Sequence, residues 1–181
     1  MQTSDMSSPA SAYIGLGSNL GNSRSLLREA WHSLGQHPEV SLQALSSPYR
    51  TRPVEMESEH WFINAVGQLH TSLPPNDLLD FLLETEAQFG RVRHPEQEGY
   101  QDRTLDLDLL LYDNCILQTD RLVLPHPAMH ERLFVLVPLA EIGKQQTHPL
   151  FKKTVTELLA EQETTHERKG IEQTTWEKKR D

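Results

Sequence analysis

Residues 103–113 read Arg-Thr-Leu-Asp-Leu-Asp-Leu-Leu-Leu-Tyr-Asp, with apolar and polar side chains alternating over the first part. Alternation with a period of two predicts a β-strand. One face of this strand would carry four leucines: Leu105, Leu107, Leu109 and Leu111. Asp106 and Asp108 would share the opposite face, with Cα atoms about 6–7 Å apart.

Two aspartates side by side on an apolar strand need compensation. Like charges at this spacing repel, and burying an unpaired carboxylate is unfavourable by several kcal/mol. A cation would resolve the conflict, and carboxylates combined with waters and phosphate oxygens suit Mg²⁺. The alternative is an ordinary strand with a solvated polar face, although Asp is depleted in strands. We therefore predict a metal site at Asp106 and Asp108.

The predicted elements before this strand alternate in type. They are a strand at 12–17, a helix at 23–34, strands at 40–47 and 61–71, and a helix that starts at Pro74-Pro75-Asn76. Loops at 48–60 and 91–102 complete the order strand–helix–strand–strand–helix–strand. This order is typical of a split βαβ unit. We predict an α+β protein, a ferredoxin-like α/β sandwich with an antiparallel sheet.

The C-terminal part predicts an extension of this sandwich. It contains strand material at 121–124, a short helix at about 133–142, and one or two helical turns around Val155, Leu158 and Leu159. From about Glu161 charged residues dominate and few apolar residues are left to bury. We expect one domain over 12–160 and a disordered charged tail over 161–181.

Bulk properties narrow the class of protein. The chain has 181 residues, a formal net charge of −9 and one cysteine, Cys115. It lacks a Lys/Arg-rich block, which argues against a nucleic-acid-binding surface. A single cysteine excludes an intrachain disulfide, and no apolar run has the length of a membrane span. We expect a cytoplasmic protein that binds neither nucleic acid nor membrane.

Basic groups cluster around the Asp-bearing strand. They are Arg91, Arg93, Arg103, Arg121 and Arg132. Arginine binds phosphate oxygens through paired hydrogen bonds, so the cluster favours phosphate recognition over five independent solvated residues. Pro125-His126-Pro127 adds a histidine. His126 fits a hydrogen-bond donor to phosphate better than a metal ligand, because Pro127 disfavours helical geometry at His126.

Several segments together resemble the 6-hydroxymethyl-7,8-dihydropterin pyrophosphokinases of folate biosynthesis. The matching segments are Gly17-Ser-Asn-Leu-Gly21, Ser47-Pro-Tyr-Arg-Thr51, Phe62-Ile-Asn64, Gly90-Arg-Val-Arg93, Arg103-Thr-Leu-Asp-Leu-Asp108, and Pro125-His126-Pro127 followed by Arg132 and Phe134. They occur in order from about residue 12 to 142. The resemblance implies transfer of diphosphate from ATP to the pterin hydroxymethyl group, with release of AMP, by a monomer.

The resemblance also implies roles for individual residues. Asp106 and Asp108 would hold two Mg²⁺ ions that bridge the ATP phosphates, and would act in catalysis with Arg91 and Arg103. The implied pterin-binding residues are Thr51, Val54, Phe62, Asn64, Glu86 and Phe134, with the two phenylalanines on either side of the ring. The implied ATP-binding residues are Arg91, Arg93, Leu109, Arg121, Val123 and His126, with Leu109 and Val123 near adenine.

Two other classes of function stay open at this point. Ferredoxin-like folds also carry paired aspartates in nucleotidyl transferases and cyclases, which would release diphosphate instead of AMP. A ligand-sensing module could use the same scaffold without chemistry. Such a module would need neither the Asp pair nor the arginine cluster.

Overall fold

The computed structural model describes residues 8–53, 60–92, 102–165 and 170–177. Its strands are β1 (Ala10–Ser18), β2 (Val40–Leu45), β3 (Tyr49–Thr51), β4 (Phe62–Thr71), β5 (Asp106–Tyr112), β6 (Leu117–Gln118), β7 (Val123–Leu124) and β8 (Ile171–Gln173). Its α-helices are α1 (Ser23–Leu34), α2 (Pro75–Gln88), α3 (Leu133–Gly143) and α4 (Val155–Thr165), and a 3₁₀ turn spans Met129–Glu131.

Six of the strands form one antiparallel sheet. Its order is β5-β1-β4-β3-β8, and β2 also pairs with β4. β1 runs along the whole length of β4, whereas β3 and β2 share the other side of β4, at its beginning and its end. β6 and β7 form a separate two-stranded ribbon. The antiparallel sheet with helices confirms the predicted α+β, ferredoxin-like class.

α1 and α2 cover the first face of the sheet. Their buried side chains include Leu27, Ala30, Trp31 and Leu34 on α1 and Leu78 and Leu82 on α2. These spacings put one apolar stripe of each helix on the sheet. Contact is closest at Gly67, where a Cβ atom would lie 2.3 Å from the Trp31 ring. This position therefore requires glycine.

α3 and α4 cover only part of the second face. Their core side chains pack with Tyr13, Val66, Leu110 and Leu111 of the sheet. α3 is apolar nearly all round, with Val135, Leu136, Val137, Pro138 and Leu139 buried. The part of the sheet next to the start of α3 is left open.

A β-bulge changes which leucines of β5 share a face. Tyr13 pairs with Leu111 and Ile14 with Leu109, so Leu110 is an extra residue on β5. An extra residue shifts the alternation of all side chains after it. Leu109 packs in the first core cluster, but Leu111 packs in the second. The prediction that Leu111 lies with the other alternating leucines is wrong for this reason.

The structure also corrects one predicted loop and part of the tail that was predicted to be disordered. The segment expected to be a loop at 48–60 contains β3, and the tail expected to be disordered contains the last turn of α4 and β8. β8 pairs with β3 and joins the main sheet. The domain boundary at residue 160 stays a prediction. Within the described ranges, every helix is too short or too polar to cross a bilayer.

A candidate active site on the open part of the sheet

A cleft of about 630 Å³, including the solvent at its mouth, lies on the second face beside the start of α3. Strands β1, β3, β4 and β5 form its floor. Its polar, charged and aromatic lining residues are Thr51, Arg52, Phe62, Asn64, Arg103, Asp106, Asp108, Arg132 and Phe134. The cleft thus brings together residues that the sequence assigns to metal, phosphate and pterin.

Two glycines on β1 give the cleft its depth. Gly17 pairs with Asn64 on one side and Asp106 on the other, and Gly15 pairs with Asp108. A Cβ atom at Gly17 would lie 3.2 Å from the Asn64 Oδ1 atom and 3.8 Å from the Asp106 Cβ atom. Only the strand pairing reveals that these two glycines line a site.

Asp106 is held by two arginines. The Arg103 Nη2 atom lies 3.1 Å from the Asp106 Oδ2 atom, and Arg91 donates to the Asp106 Oδ1 atom. Arg91 also donates to the Leu105 carbonyl oxygen at 3.0 Å. Burial lowers the pKa of Arg91, but the charges of Asp106, Glu86 and Asp108 together raise it by more. The pKa of Arg91 therefore lies above its ordinary value.

Asp108 is in a different position. In the described part of the chain, no hydrogen bond or ion pair reaches its carboxylate. Burial, followed by the charge of Asp106, raises the pKa of Asp108 to about 7, although Arg103 and Arg132 oppose the shift. The negative charge is unfavourable there without a further cation.

The donor set fits Mg²⁺ shared with a ligand. Asp106 and Asp108 point from the same face of β5 into the cleft. Among the described residues no group of three or more His, Cys, Asp or Glu forms a protein-only metal site. Mg²⁺ characteristically binds through one or two carboxylates and completes its shell with waters and phosphate oxygens. Two carboxylates are therefore sufficient for that type of site.

Glu86 lies behind β5. Its Oε1 atom accepts hydrogen bonds from the Leu107 N–H at 2.7 Å and from the Arg91 Nη1 atom at 3.1 Å. Only 2% of the residue is exposed, and it is absent from the described cleft lining. Glu86 therefore fixes β5 between the two aspartates and orients Arg91. Its contact with substrate stays a prediction.

The other end of the cleft is aromatic and polar. The Asn64 Nδ2 atom donates to the Thr51 Oγ1 atom at 2.7 Å, and both side chains are buried. The Arg103 guanidinium carbon lies 5.4 Å from the Phe62 ring centroid, and that of Arg132 lies 5.6 Å from the Phe134 ring centroid. An amide and two aromatic rings suit a flat heterocycle with hydrogen-bonding edges.

The remaining predicted ATP contacts are dispersed. Leu109 is buried in the first core cluster, Val123 lies on β7, and Arg121 forms an exposed ion pair with Asp80. None of the three belongs to the described lining of the cleft. Val54 and Arg93 lie outside the described residues.

His126 is partly buried near the charged end of the cleft. Burial and the charge of Arg132 lower its pKa, although Asp106 opposes them, so its ring is neutral at pH 7. The His126 Nδ1 atom accepts a hydrogen bond from the Ala128 N–H at 3.2 Å. The proton of the neutral ring is therefore on Nε2.

Two basic residues of the cleft were predicted incompletely or not at all. Arg132 is predicted only as one of five clustered arginines, and Arg52 has no predicted role; both line the cleft. Arg132 lies directly before α3 and Arg52 directly after β3. The short distance between Arg132 and Phe134 in sequence was the available signal for Arg132; none marked Arg52.

Fold and site define a ferredoxin-like α+β domain with an acidic pair, arginines and an aromatic pocket in one cleft. The model of the family 7,8-dihydro-6-hydroxymethylpterin-pyrophosphokinase (HPPK) matches residues 13–144. The chain belongs to this family, which confirms the resemblance found in the sequence.

Curated relatives carry the corresponding enzyme name. The 2-amino-4-hydroxy-6-hydroxymethyldihydropteridine pyrophosphokinase of Bacillus subtilis (strain 168) is 44% identical over 134 residues, which cover 74% of this chain and 78% of the relative. The enzyme of the same name from Methylorubrum extorquens is 41% identical over 149 residues, which cover 82% and 91% respectively.

Solved structures agree on the fold. An HPPK-DHPS structure in complex with substrates superposes with a TM-score of 0.70 at 14% identity, covering 90% of this chain and 45% of the solved chain. Wild-type HPPK-DHPS of Plasmodium falciparum gives 0.69 at 12% identity, covering 92% and 43%. This chain spans a little under half of each solved chain, and at this identity the likeness concerns the fold alone.

Proposed function

We propose that the cleft is the site where this chain carries out the reaction of its family. That reaction is the ATP-dependent transfer of diphosphate to 6-hydroxymethyl-7,8-dihydropterin in folate biosynthesis, with release of AMP. The observation that carries the assignment is the environment of Asp108. Its carboxylate lies in a partly buried cleft beside Asp106, with a pKa raised to about 7, and a phosphate-bound cation would stabilise its charge.

Asp106 and Asp108 are the residues that would hold Mg²⁺. Bound Mg²⁺ supplies neutralisation and alignment of the phosphate oxygens of ATP. The two aspartates contribute the charge that retains the metal. Gly17 contributes space, because a Cβ atom there would approach both Asn64 and Asp106. Gly15 also lines the cleft.

Arg91 and Arg103 would stabilise the charge that develops on the leaving AMP. Both already contact Asp106 and are held close to the metal-binding carboxylates. Arg91 is fixed from behind by Glu86, so it is pre-organised before substrate binds. Preorganised cations lower the barrier more than mobile ones, because they need no reorganisation during the reaction.

Pterin would bind at the aromatic end of the cleft. Asn64 is oriented by its bond to Thr51 and would hydrogen-bond the edge of the ring. Phe62 and Phe134 would stack on its faces. The neutral His126, with its proton on Nε2, would donate a hydrogen bond to a phosphate oxygen. In-line transfer of this kind depends on positioning and charge, without a covalent intermediate.

An assay of AMP formation tests the proposal. The protein is incubated with ATP, Mg²⁺ and 6-hydroxymethyl-7,8-dihydropterin, and AMP and pterin diphosphate are measured by chromatography. We expect both products only when all three components are present. Each incubation that lacks one component is a control. Release of diphosphate together with an adenylated product would instead assign the chain to the nucleotidyl transferases.

A further inference from the structure

We propose that the C-terminal strand β8 and Trp176 are positioning elements for the pterin end of the cleft. They would act by holding β3 in place, so that Thr51 and Arg52 form a rigid wall. The inference rests on the function proposed above, because it concerns the binding of that substrate. β8 lies beyond residue 144, where the match to the family ends, and so belongs to an extension of this chain.

β8 turns β3 from an edge strand into an inner strand. On one side β3 pairs with β4, and on the other Thr51 pairs with Ile171. The Arg52 N–H donates to the Gly170 carbonyl oxygen at 3.2 Å, and the Thr174 N–H donates to the Pro48 carbonyl oxygen at 2.8 Å. Backbone bonds to β8 therefore span the segment that ends at the cleft wall.

A strand as short as β3 needs this support. It has only three residues and therefore few ladder bonds with β4. Short edge segments with few buried contacts open locally at low free energy. When β3 opens, Thr51 and Arg52 leave their places in the cleft, because both lie at its C-terminal end.

Two apolar side chains fix β8 to the body of the protein. The Trp176 Nε1 atom donates to the Ser46 carbonyl oxygen at 3.0 Å, and its ring packs against the first core cluster. Ile171 packs against the second cluster. Ser46 in turn is bonded to Val66 of β4 at 2.9 Å through the backbone, so Trp176 is anchored at the fixed end of the segment leading into β3.

The consequence for substrate passes through Thr51. Its hydroxyl takes one hydrogen of the Asn64 amide, and this bond determines which way the amide points. Asp106 and Asp108 lie on β5, at the opposite edge of the sheet from β8. Loss of β8 should therefore weaken pterin binding and leave the phosphate end of the cleft intact.

Two substitutions at one position provide the test. In an antiparallel ladder every second residue pair is hydrogen-bonded, and the pairs at Gly170 and Thr174 are of this kind. The pair between them, Glu172 and Arg50, is therefore hydrogen-bonded too, with the Glu172 N–H donating to the Arg50 carbonyl oxygen. Glu172→Pro removes that donor, whereas Glu172→Ala removes only the side chain of an exposed ion pair with Arg50. A truncation after Thr165 removes β8 and Trp176 together.

We expect Glu172→Pro and the truncation to raise the KM for pterin about five- to tenfold, as when the competent wall is populated only a tenth to a fifth of the time. The KM for ATP and kcat at saturating pterin should change less than about twofold. Glu172→Ala should behave as the unchanged chain. Pterin affinity is also measured directly by fluorescence titration with Mg²⁺ and a non-hydrolysable ATP analogue.

Other outcomes would overturn the inference. A fall in kcat at unchanged KM for pterin would mean that β8 only stabilises the fold, and equal effects of Pro and Ala at position 172 would exclude the ladder. Thermal unfolding of each variant identifies a general loss of folded protein. If the unchanged chain forms no AMP, the proposed function fails, while the fluorescence titration still decides whether β8 supports the pterin pocket.

Discussion

The two faces of the central sheet are built by the same strands, but one packs in the hydrophobic core and the other lines the cleft. On the first face, Leu16, Ile63 and Leu107 are buried against α1 and α2. On the second face, beside the start of α3, the neighbouring positions are Gly17, Asn64 and the two aspartates, and they line a cleft. Because side chains alternate along each strand, a residue that packs in the core is followed directly by one that lines the cleft.

This separation explains how a charged site can lie at the centre of a sheet. Asp108 is unfavourable in its charged form, since burial and Asp106 raise its pKa to about 7. Leu107 and Leu109 on either side are 3% and 4% exposed and belong to the first core cluster. Burial of each leucine contributes about 1.5–3 kcal/mol, which offsets the electrostatic cost of the aspartates on the other face of the same strand.

The largest effect that would sharpen this comparison is loss of turnover without loss of fold. Asp108→Ala should lower kcat by about a thousandfold or more, because it removes a charge that is proposed to hold Mg²⁺. Asp106→Ala should do the same. AMP formation is measured at saturating ATP, Mg²⁺ and pterin, with exposed Asp120→Ala as the matched control. AMP release by Asp108→Ala near the level of this control would contradict the metal role.

The reciprocal change is on the first face. Leu107→Ala should lower the free energy of unfolding by about 2–4 kcal/mol, because it leaves a cavity under α2. Its KM values should stay unchanged at temperatures where the variant is folded. Urea unfolding and steady-state kinetics measure the two effects separately. If a fully folded Leu107→Ala lost turnover as Asp108→Ala does, the two faces would not be functionally separate.

Local pattern predicted the elements that bury one periodic face. Helix α1 was expected at 23–34 and is observed at Ser23–Leu34, because its apolar stripe at helical spacing packs on the sheet. The order of the core elements followed in the same way. The β-bulge at Leu110 could not be predicted, since it depends on the register between β1 and β5, which are far apart in sequence.

Elements that depend on distant partners were missed. β3 and β8 have three residues each, too few for a periodic pattern. β8 gains its ladder bonds from β3, and β3 gains its own from β4 and β8. Trp176 and Ile171 are single apolar residues in a charged tail, so composition predicted disorder there. Their burial against the two core clusters is a tertiary effect.

The candidate site shows the same limit. Asp106, Asp108, Asn64 and the two phenylalanines of the cleft were proposed from motifs that hold their spacing within single strands or helices. Arg52 has no such local signal and enters the cleft only because β3 lies beside β4. The sequence alone also could not reveal that Arg121 pairs with Asp80 on α2.

A smaller effect tests the aromatic end of the open face. Phe134→Ala should weaken pterin binding about tenfold, because stacking of one ring face is lost, and should leave ATP affinity unchanged. Phe134→Leu keeps apolar contact without a π-face and is the matched control for volume. Pterin fluorescence titration measures both variants. Equal affinity in Phe134→Ala and the unchanged chain would remove Phe134 from the pterin pocket.

The last prediction concerns the metal-free protein, whose stability Asp108 lowers as the pH rises. Below about pH 4 Asp108 is protonated in both the folded and the unfolded states. As pH rises towards about 7, the unfolded chain loses this proton first, so the free energy of unfolding falls. Asp108→Asn removes this loss. In EDTA it should be more stable than the unchanged chain at pH 8, and the difference should be clearly smaller at about pH 5.

Asp106→Asn separates this effect from a general consequence of removing a cleft carboxylate. Asp106 is paired with Arg91 and Arg103, so its neutralisation removes one negatively charged partner from each of two partly buried cations. It should therefore be destabilised at pH 8, opposite in sign to Asp108→Asn. Urea unfolding at both pH values measures all three proteins. A stability gain for Asp108→Asn that does not grow with pH would show that Asp108 is not held at a raised pKa, and the electrostatic contrast between the two faces would then be smaller than the structure indicates.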